Sequence, residues 1–329
     1  MARTIRFHRH GGPEALTIEE VDIPPPGPGE VRIRTRALGL NRAEALFRLG
    51  AYIEQAQFPS GIGLEAAGLI ESVGAGVEGF SPGDAVSLVP PRSMLRWPVH
   101  GELVTAPAEL VIKHPPTLGW EAAAASWMQY LTAYGALIAI ARLKQGEHVV
   151  ITAASSSVGL AAIQIANRIG AIPIAVTRTS RKAQALREAG AAHVIASTEE
   201  DLEARLKEIA SEEGVRVVLD AVGGPAFLPL TAAMARGGIL INYGGQSPEA
   251  TPFPLFNVLS KSLMLRGYLV HEITGDPDRL AAAKAFILDG LSDGSLRPII
   301  ARSLPFDEIA EAHRYLESNE QFGKVVVTL

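Results

Sequence analysis

The chain has 329 residues, 47% of them hydrophobic and 20% charged, with a formal net charge of −5 and no cysteine. That length supports a large core and two domains. The acidic balance provides no electrostatic footprint for nucleic acid or an anionic membrane. The missing cysteine excludes disulfides, thiolate metal sites and cysteine nucleophiles.

The opening MARTIRFHRH is basic and lacks an apolar h-region, so it reads as a first strand, not a secretory signal. Ile5 and Phe7 set its alternation, which would place His8 and His10 on one strand face. The expected location is the cytoplasm. PPPGPGE is a turn-rich connector, and VRIRTRA (Val31 to Ala37) alternates as a strand with one wet face. Gly61, Gly63, Gly68, Gly74, Gly76, Gly79 and Gly83, with Pro59 and Pro82, predict tight turns between short strands. Ala122 to Ala141 carries no charge. Its alanines, Gln129, two tyrosines and Gly135 make it a poor membrane span, and it reads as one buried helix.

From His148 the pattern becomes regular. HVVITAAS, AIPIAVTR, HVIA, VRVVLDAV and GILINYGG are apolar strands. Helices over Val158–Ile169, Arg181–Ala189, EEDLEARLKEIASEE and Phe227–Ala235 separate them, each closing near a glycine. Apolar strands alternating with amphipathic helices predict a parallel sheet covered on both faces, doubly wound by right-handed crossovers. Pro173 is compatible with a central strand only near its start. The strand around Leu263 to Tyr268 should end this sheet. Further on, a helix opens at Asp276-Pro277, another spans Asp307–Glu317, and GKVVVTL is a strand.

VITAASSSVGLAAIQIANRIG joins the first of these strands to its helix. A dinucleotide turn needs three small residues: one for the tight turn, one for backbone approach to a pyrophosphate, and one for helix–strand packing. Ala154, Ser156 and Gly159 occupy those places, and Ser155, Ser157 and Val158 complete the helix N-terminus on which a phosphate would sit. An NAD site usually offers an acid at the end of the second strand. Here Thr177 stands in that position, followed by Arg178, Arg181 and Lys182. Those cations favour a 2′-phosphate, so NADP (as NADPH) is the expected cofactor. Other strand ends should line the same crevice: Ala221, Val222 and Gly223, then Tyr243, Gly244 and Gly245.

GGPE, PGPGEVRIR, ALGLNRAEALFRLGAY, GLEAAGLIESVGAGV, SPGDAV, YLTAYGAL, TAASSSVGLAAIQIA and FGKVVV occur in this order. Together they resemble the medium-chain dehydrogenase/reductase superfamily over nearly the whole chain, and most of all its zinc-free, zeta-crystallin-like NADPH:quinone oxidoreductase branch. The resemblance implies an α/β fold: a GroES-like β-rich domain (residues 1–123 and 268–329) plus a Rossmann doubly wound parallel-sheet domain (residues 124–267). It implies a cytoplasmic homodimer that joins sheet edges. It also implies pro-R hydride delivery to a small-molecule quinone or enone, with no nucleic acid or membrane partner. Zinc enzymes of the superfamily place a cysteine in the segment matching Leu40-Asn41 and a histidine where Leu64 stands. No metal is therefore expected, and the acceptor must already be electrophilic.

By resemblance, Tyr52 and Asn41 are the candidate proton and hydrogen-bond donors, Gln129 and Thr132 approach the nicotinamide, and Arg266 and Lys324 face the cofactor cleft. Leu46 and Phe47 suit either a flat ring substrate or core packing. An enoyl-thioester (enoyl-CoA) reductase is one alternative. A non-enzymatic NADPH-binding protein, crystallin-like or RNA-binding, is another. The charge balance and the lack of interleaved basic and aromatic residues argue against RNA.

Overall fold

A computed structural model describes residues 1–115 and 117–329. The chain divides into two compact units. One comprises Met1–Gln129, Thr274–Ser292 and Arg297–Leu329; the other comprises Tyr130–Ile273 and Asp293–Leu296. In chain order the elements begin with β1 (Ala2–Phe7), β2 (Leu16–Val21), β3 (Glu30–Gly39), α1 (Arg42–Leu49), β4 (Ser60–Gly61), β5 (Ala66–Val73), β6 (Ala85–Leu88), β7 (Leu103–Pro107), β8 (Val111–Lys113), α2 (Trp120–Ala124) and α3 (Trp127–Tyr134). Next come β9 (His148–Ile151), α4 (Ser157–Arg168), β10 (Ile172–Thr177), α5 (Ala183–Glu188), β11 (His193–Ala196), α6 (Leu202–Ala210), β12 (Val215–Asp220), α7 (Phe227–Ala232), β13 (Met234–Asn242), α8 (Leu255–Lys261) and β14 (Met264–Gly267). The last are α9 (His271–Thr274), α10 (Pro277–Asp293), β15 (Ile300–Pro305), α11 (Ile309–Glu317) and β16 (Lys324–Thr328).

The first unit is β-rich. Its larger sheet runs β15-β16-β3-β5-β6-β8, with β7 also on β3, and a small sheet runs β2-β1-β4. β3 alternates buried and exposed residues until Ala37, then buries Leu38 and Gly39 where β16 pairs with it. Small side chains at Ala37, Ala67 and Ala123 to Ala125 pack with Val326 beneath the sheet. β1 stops at Phe7, so the expected strand face for His8 and His10 does not form. His8 leaves the sheet to meet Glu19, and the His10 ring meets the Arg48 carbonyl.

The second unit is a six-stranded parallel sheet in the order β11-β10-β9-β12-β13-β14, the doubly wound arrangement with its switch point between β9 and β12. Val150, Ile174, Ile195, Val218 and Leu240 fill its core with Leu206 and Leu230. Pro173 is second in β10, between β9 and β11, and its carbonyl accepts the Ala192 N–H. β14 is the sheet edge.

Several expected helices are shorter: α5 spans Ala183–Glu188 and α6 Leu202–Ala210. α7 ends at Ala232, and β13 already begins at Met234. The Lys261 ammonium caps this end, donating to the Ala232 carbonyl and, at 2.9 Å, to that of Met234. Ala122 to Ala141 is not one helix. It breaks before Trp127, where the Glu65 carboxylate accepts the Trp127 and Met128 N–H groups at 2.6 and 3.1 Å. It then continues as a π-helical turn over Gly135–Ile140. Tyr268 donates its hydroxyl to the Leu131 carbonyl at 3.2 Å and packs against Gly135, where the π turn begins. No helix among the described residues is long and apolar enough to cross a membrane.

Candidate functional site

In the second unit β9 ends at Ile151 and the chain turns through Ala153, whose φ of 46° is left-handed, into α4. Ser156 is the N-cap: its hydroxyl oxygen accepts the Gly159 N–H at 3.1 Å. A Cβ on Gly159 would lie 2.5 Å from the Ala154 carbonyl oxygen, so only glycine fits against the strand end. Ala154 is buried, and Ser155, Ser157 and Val158 are half-buried at the helix start. α4 has 12 residues, so its first turn presents unpaired N–H groups and a positive dipole end.

The neighbouring strand end supplies the cations. Arg178 and Arg181 are exposed, and neither is ion-paired among the described residues. Lys182 is the N-cap of α5 and donates to the Ser155 hydroxyl at 3.2 Å, which ties the second strand's exit to the phosphate-type turn. Cations oppose the dipole at a helix start, so the fold pays nothing back locally for them. The half-buried Thr177 offers its carbonyl to the Ser197 N–H.

At the switch point the structure adds residues the sequence reading passed over. Buried Thr152 donates its hydroxyl to Asp220 Oδ1 at 2.7 Å and accepts the Ala221 N–H at 2.9 Å. Asp220 also accepts the Val222 and Gly223 N–H groups and the Asn242 amide. One carboxylate thus fixes Val222 and Gly223 directly and Ala221 through Thr152, and joins three strand ends. The Tyr243 N–H meets the Asp220 carbonyl at 2.9 Å. The Tyr243 hydroxyl is buried; burial raises its pKa, the Asp220 charge adds to this, and the Ser156 side chain opposes it. Gly244 follows against the Ala221 carbonyl, and Gly245 is exposed. A polar residue at the end of an apolar strand was the available signal for Thr152, Asp220 and Asn242. Thr132 on α3 is buried, and Arg266 on β14 is engaged by Glu272.

The first unit organises its candidates around a buried ion pair. Lys324 Nζ lies 2.6 Å from Glu65 Oε2 and 2.6 Å from Asn41 Oδ1, and the Lys324 and Glu65 side chains are fully buried. Burial raises the Glu65 carboxyl above its ordinary value, with Lys324 opposing. The Asn41 amide nitrogen donates to the Gly39 carbonyl and to Glu44, whose carboxylate in turn accepts the Asn41 N–H at 2.9 Å. This capping box starts α1 and engages both polar atoms of the Asn41 side chain. Lys324 therefore sits inside a saturated network. Gln129 is buried with its Oε1 unpartnered among the described residues. Phe47 is core: it is fully buried, with its ring edge-on to Phe7.

α1 ends at Gly50, and the following loop carries Tyr52. Glu54 pins this loop by accepting the Ser93 hydroxyl and the Met94 N–H. The Tyr52 hydroxyl has no hydrogen-bond partner among the described residues. Burial, then the charges of Glu54 and Glu44, raise its pKa above the ordinary 10.0, so it keeps its proton at neutral pH.

The residues do not fit zinc at the position the resemblance assigns to it. Asn41 Oδ1 already accepts an ammonium ion, and Leu64 is a buried hydrocarbon. A separate buried group, Glu44 with His100 and His313, was not anticipated because the three lie far apart in sequence. Burial pulls His100 down to about 3, with the Gly39 carbonyl opposing and Lys324 assisting, and it also holds His313 well below its ordinary value.

Comparison with known proteins agrees with this architecture. Residues 27–116 match the family described as alcohol dehydrogenase GroES-like domain, and residues 157–287 match zinc-binding dehydrogenase. The chain is 33% identical to quinone oxidoreductase 1 of Escherichia coli over 98% of both sequences. It is 29% identical to a 2-haloacrylate reductase of a Burkholderia species over 98% of this chain and 97% of that one. A crystal structure of Escherichia coli quinone oxidoreductase complexed with NADPH superposes with a TM-score of 0.91 at 31% identity, covering 99% of this chain and all of the other.

Proposed function

This chain belongs to the medium-chain dehydrogenase/reductase superfamily, in its quinone oxidoreductase branch, and from that premise we propose that it is an NADPH-dependent reductase of quinones and α,β-unsaturated carbonyls. The observation that carries the reading is the turn from Ala154 to Gly159 beside two exposed cations that have no carboxylate partner among the described residues. Backbone N–H groups at Ser157 and Val158, with the Ser155 and Ser157 hydroxyls, would hold the pyrophosphate on the turn that Ser156 and Gly159 shape. Arg178, Arg181 and Lys182 would hold the 2′-phosphate. Asp220 keeps Ala221 to Gly223 in a fixed loop for the rest of the dinucleotide.

When bound, NADPH supplies a hydride. No metal polarises the acceptor in this reading, so the substrate must delocalise the incoming charge itself. A quinone does so as a hydroquinone anion, an enone as an enolate. One proton then completes the reduction, and Tyr52 holds one on an unengaged hydroxyl. The 2-haloacrylate reductase among the relatives supports inclusion of activated alkenes.

The protein is further proposed to act as a cytoplasmic homodimer joined along β14. Around that edge Phe253, Leu255, Phe256, Leu259 and Met264 are between 48% and 80% exposed, more large apolar surface than a free sheet edge should carry. Light scattering on the eluting protein tests this, and a monomer at micromolar concentration would refute it.

The test of function follows NADPH oxidation against benzoquinone, phenanthrenequinone, 2-alkenals, cyclic enones and crotonyl-CoA. Turnover with quinones or enones is expected. Preference for crotonyl-CoA would transfer the assignment to an enoyl-thioester reductase. NADPH binding without turnover on any acceptor would favour a non-enzymatic role.

A further inference from the structure

We propose that Glu44, His100 and His313 form a buried divalent-metal site of the zinc type in the first unit, apart from any hydride chemistry. The three side chains come from different parts of the chain: α1, the segment preceding β7, and α11. Their relative exposures are 0%, 1% and 0%. One potential ligand atom from each lies within 4.8 Å of the other two, and His100 Nε2 is 3.7 Å from Glu44 Oε1.

The two imidazoles are the unusual feature. Neither ring nitrogen of His313 has a hydrogen-bond partner among the described residues, and the His100 ring has only the nearby Gly39 carbonyl to meet. Buried polar atoms are nearly always satisfied, so the unengaged His313 ring, set beside the His100 ring and a carboxylate, calls for a ligand. Each neutral imidazole has one N–H and one lone pair. Two lone pairs and a carboxylate oxygen make the His2Glu donor set that zinc accepts, with a fourth position left for water. Zinc bonds of about 2.0–2.2 Å set neighbouring donors roughly 3.3–3.6 Å apart, so the group needs a contraction of about an ångström.

The surroundings also place these rings deliberately. Gly63 has a φ of 115°, and a Cβ there would fall 2.3 Å from the His100 ring, so the backbone makes way for the imidazole. His313 shares the buried face of α11 with Ile309, Ala312 and Leu316, where an aliphatic residue would need no polar partner. Glu44 is held by the Asn41 N–H, the Asn41 amide and the Leu64 N–H, the kind of outer support that orients a ligating carboxylate. The nearby cations are neutralised, Lys324 by Glu65 and Arg48 by Glu317, which leaves Glu44 as the balancing charge for a divalent ion. The bound ion would staple α11 to α1.

The test loads the full-length protein with Zn²⁺ or Co²⁺ by slow refolding, then removes loose metal by gel filtration. About one equivalent should remain, with a raised Tm and, for Co²⁺, the visible bands of a low-coordinate N/O site. His313→Leu and His100→Gln should lose the metal and the cobalt bands while keeping wild-type circular dichroism. Should either variant fail to fold, His313→Gln, which keeps a buried polar side chain on α11 and leaves the Glu44 hydrogen bonds intact, should lose most of the bound metal. Retention of no metal by the wild type, or equal retention by the variants, would overturn the proposal.

Discussion

The cofactor-type turn of the second unit and the Asn41–Glu65–Lys324 network of the first handle polar groups in opposite ways. Around Ala154 to Gly159 the cations Arg178 and Arg181 are exposed and without ion-pair partners among the described residues, and the Ser157 and Val158 N–H groups open α4. Around Glu65 every charge is buried and answered: Lys324 meets Glu65 and Asn41, and the second Glu65 oxygen starts α3. Groups left unanswered are free to bind something, whereas groups answered from within hold the fold. Tyr52 belongs to the first kind although it lies in the first unit, because its hydroxyl is unengaged.

The sharpest break in that contrast is expected at Lys324. Lys324→Met leaves the Glu65 carboxylate buried without its counter-charge, which should cost about 3–5 kcal/mol of stability. Urea unfolding measures it, and the double variant with Glu65→Leu should recover part of the loss at the price of α3's cap. A loss under about 1 kcal/mol would mean that the pair is solvated.

Tyr52→Phe should lower kcat about a hundredfold, close to 2.7 kcal/mol of barrier, with NADPH affinity unchanged. Because the Tyr52 pKa lies above 10.0, the hydroxyl is protonated below that pH, and kcat should show no break from this group until the pH rises past 10.0. An unchanged kcat in the variant removes Tyr52 from proton delivery.

Arg178→Ala with Arg181→Ala should remove charge-assisted bonds worth about 1.5–3 kcal/mol each at most, and less where solvent screens them. Calorimetry should show NADPH binding weakened at least tenfold while NADH binding stays level. Equal weakening of both would place the 2′-phosphate elsewhere. The smallest effect is expected at Ser156→Ala, where loss of the N-cap should cost about 1 kcal/mol in thermal unfolding.

How far the sequence could be read follows from the range of each interaction. The alternation from His148 onward, the glycine after each helix and the small residues at Ala154, Ser156 and Gly159 reflect local periodicity. They were sufficient to anticipate an α/β fold with a β-rich part and a doubly wound sheet. The same local reasoning joined Ala122 to Ala141 into one helix. It could not register that a carboxylate from Glu65 and a hydroxyl from Tyr268 interrupt it. Resemblance set Lys324 at the cofactor cleft, and local pattern could not show its partners, because Glu65 and Asn41 come from the other end of the chain.

Local pattern therefore settles which segments are strands, which are helices and where a backbone can approach a phosphate, since neighbours in sequence decide those matters. Tertiary structure alone decides which polar side chains are spent and which remain available. The return of β16 and α11 to the first unit brings Lys324 to Glu65 and His313 to Glu44 and His100, and a buried group acquires its partner only through such a return.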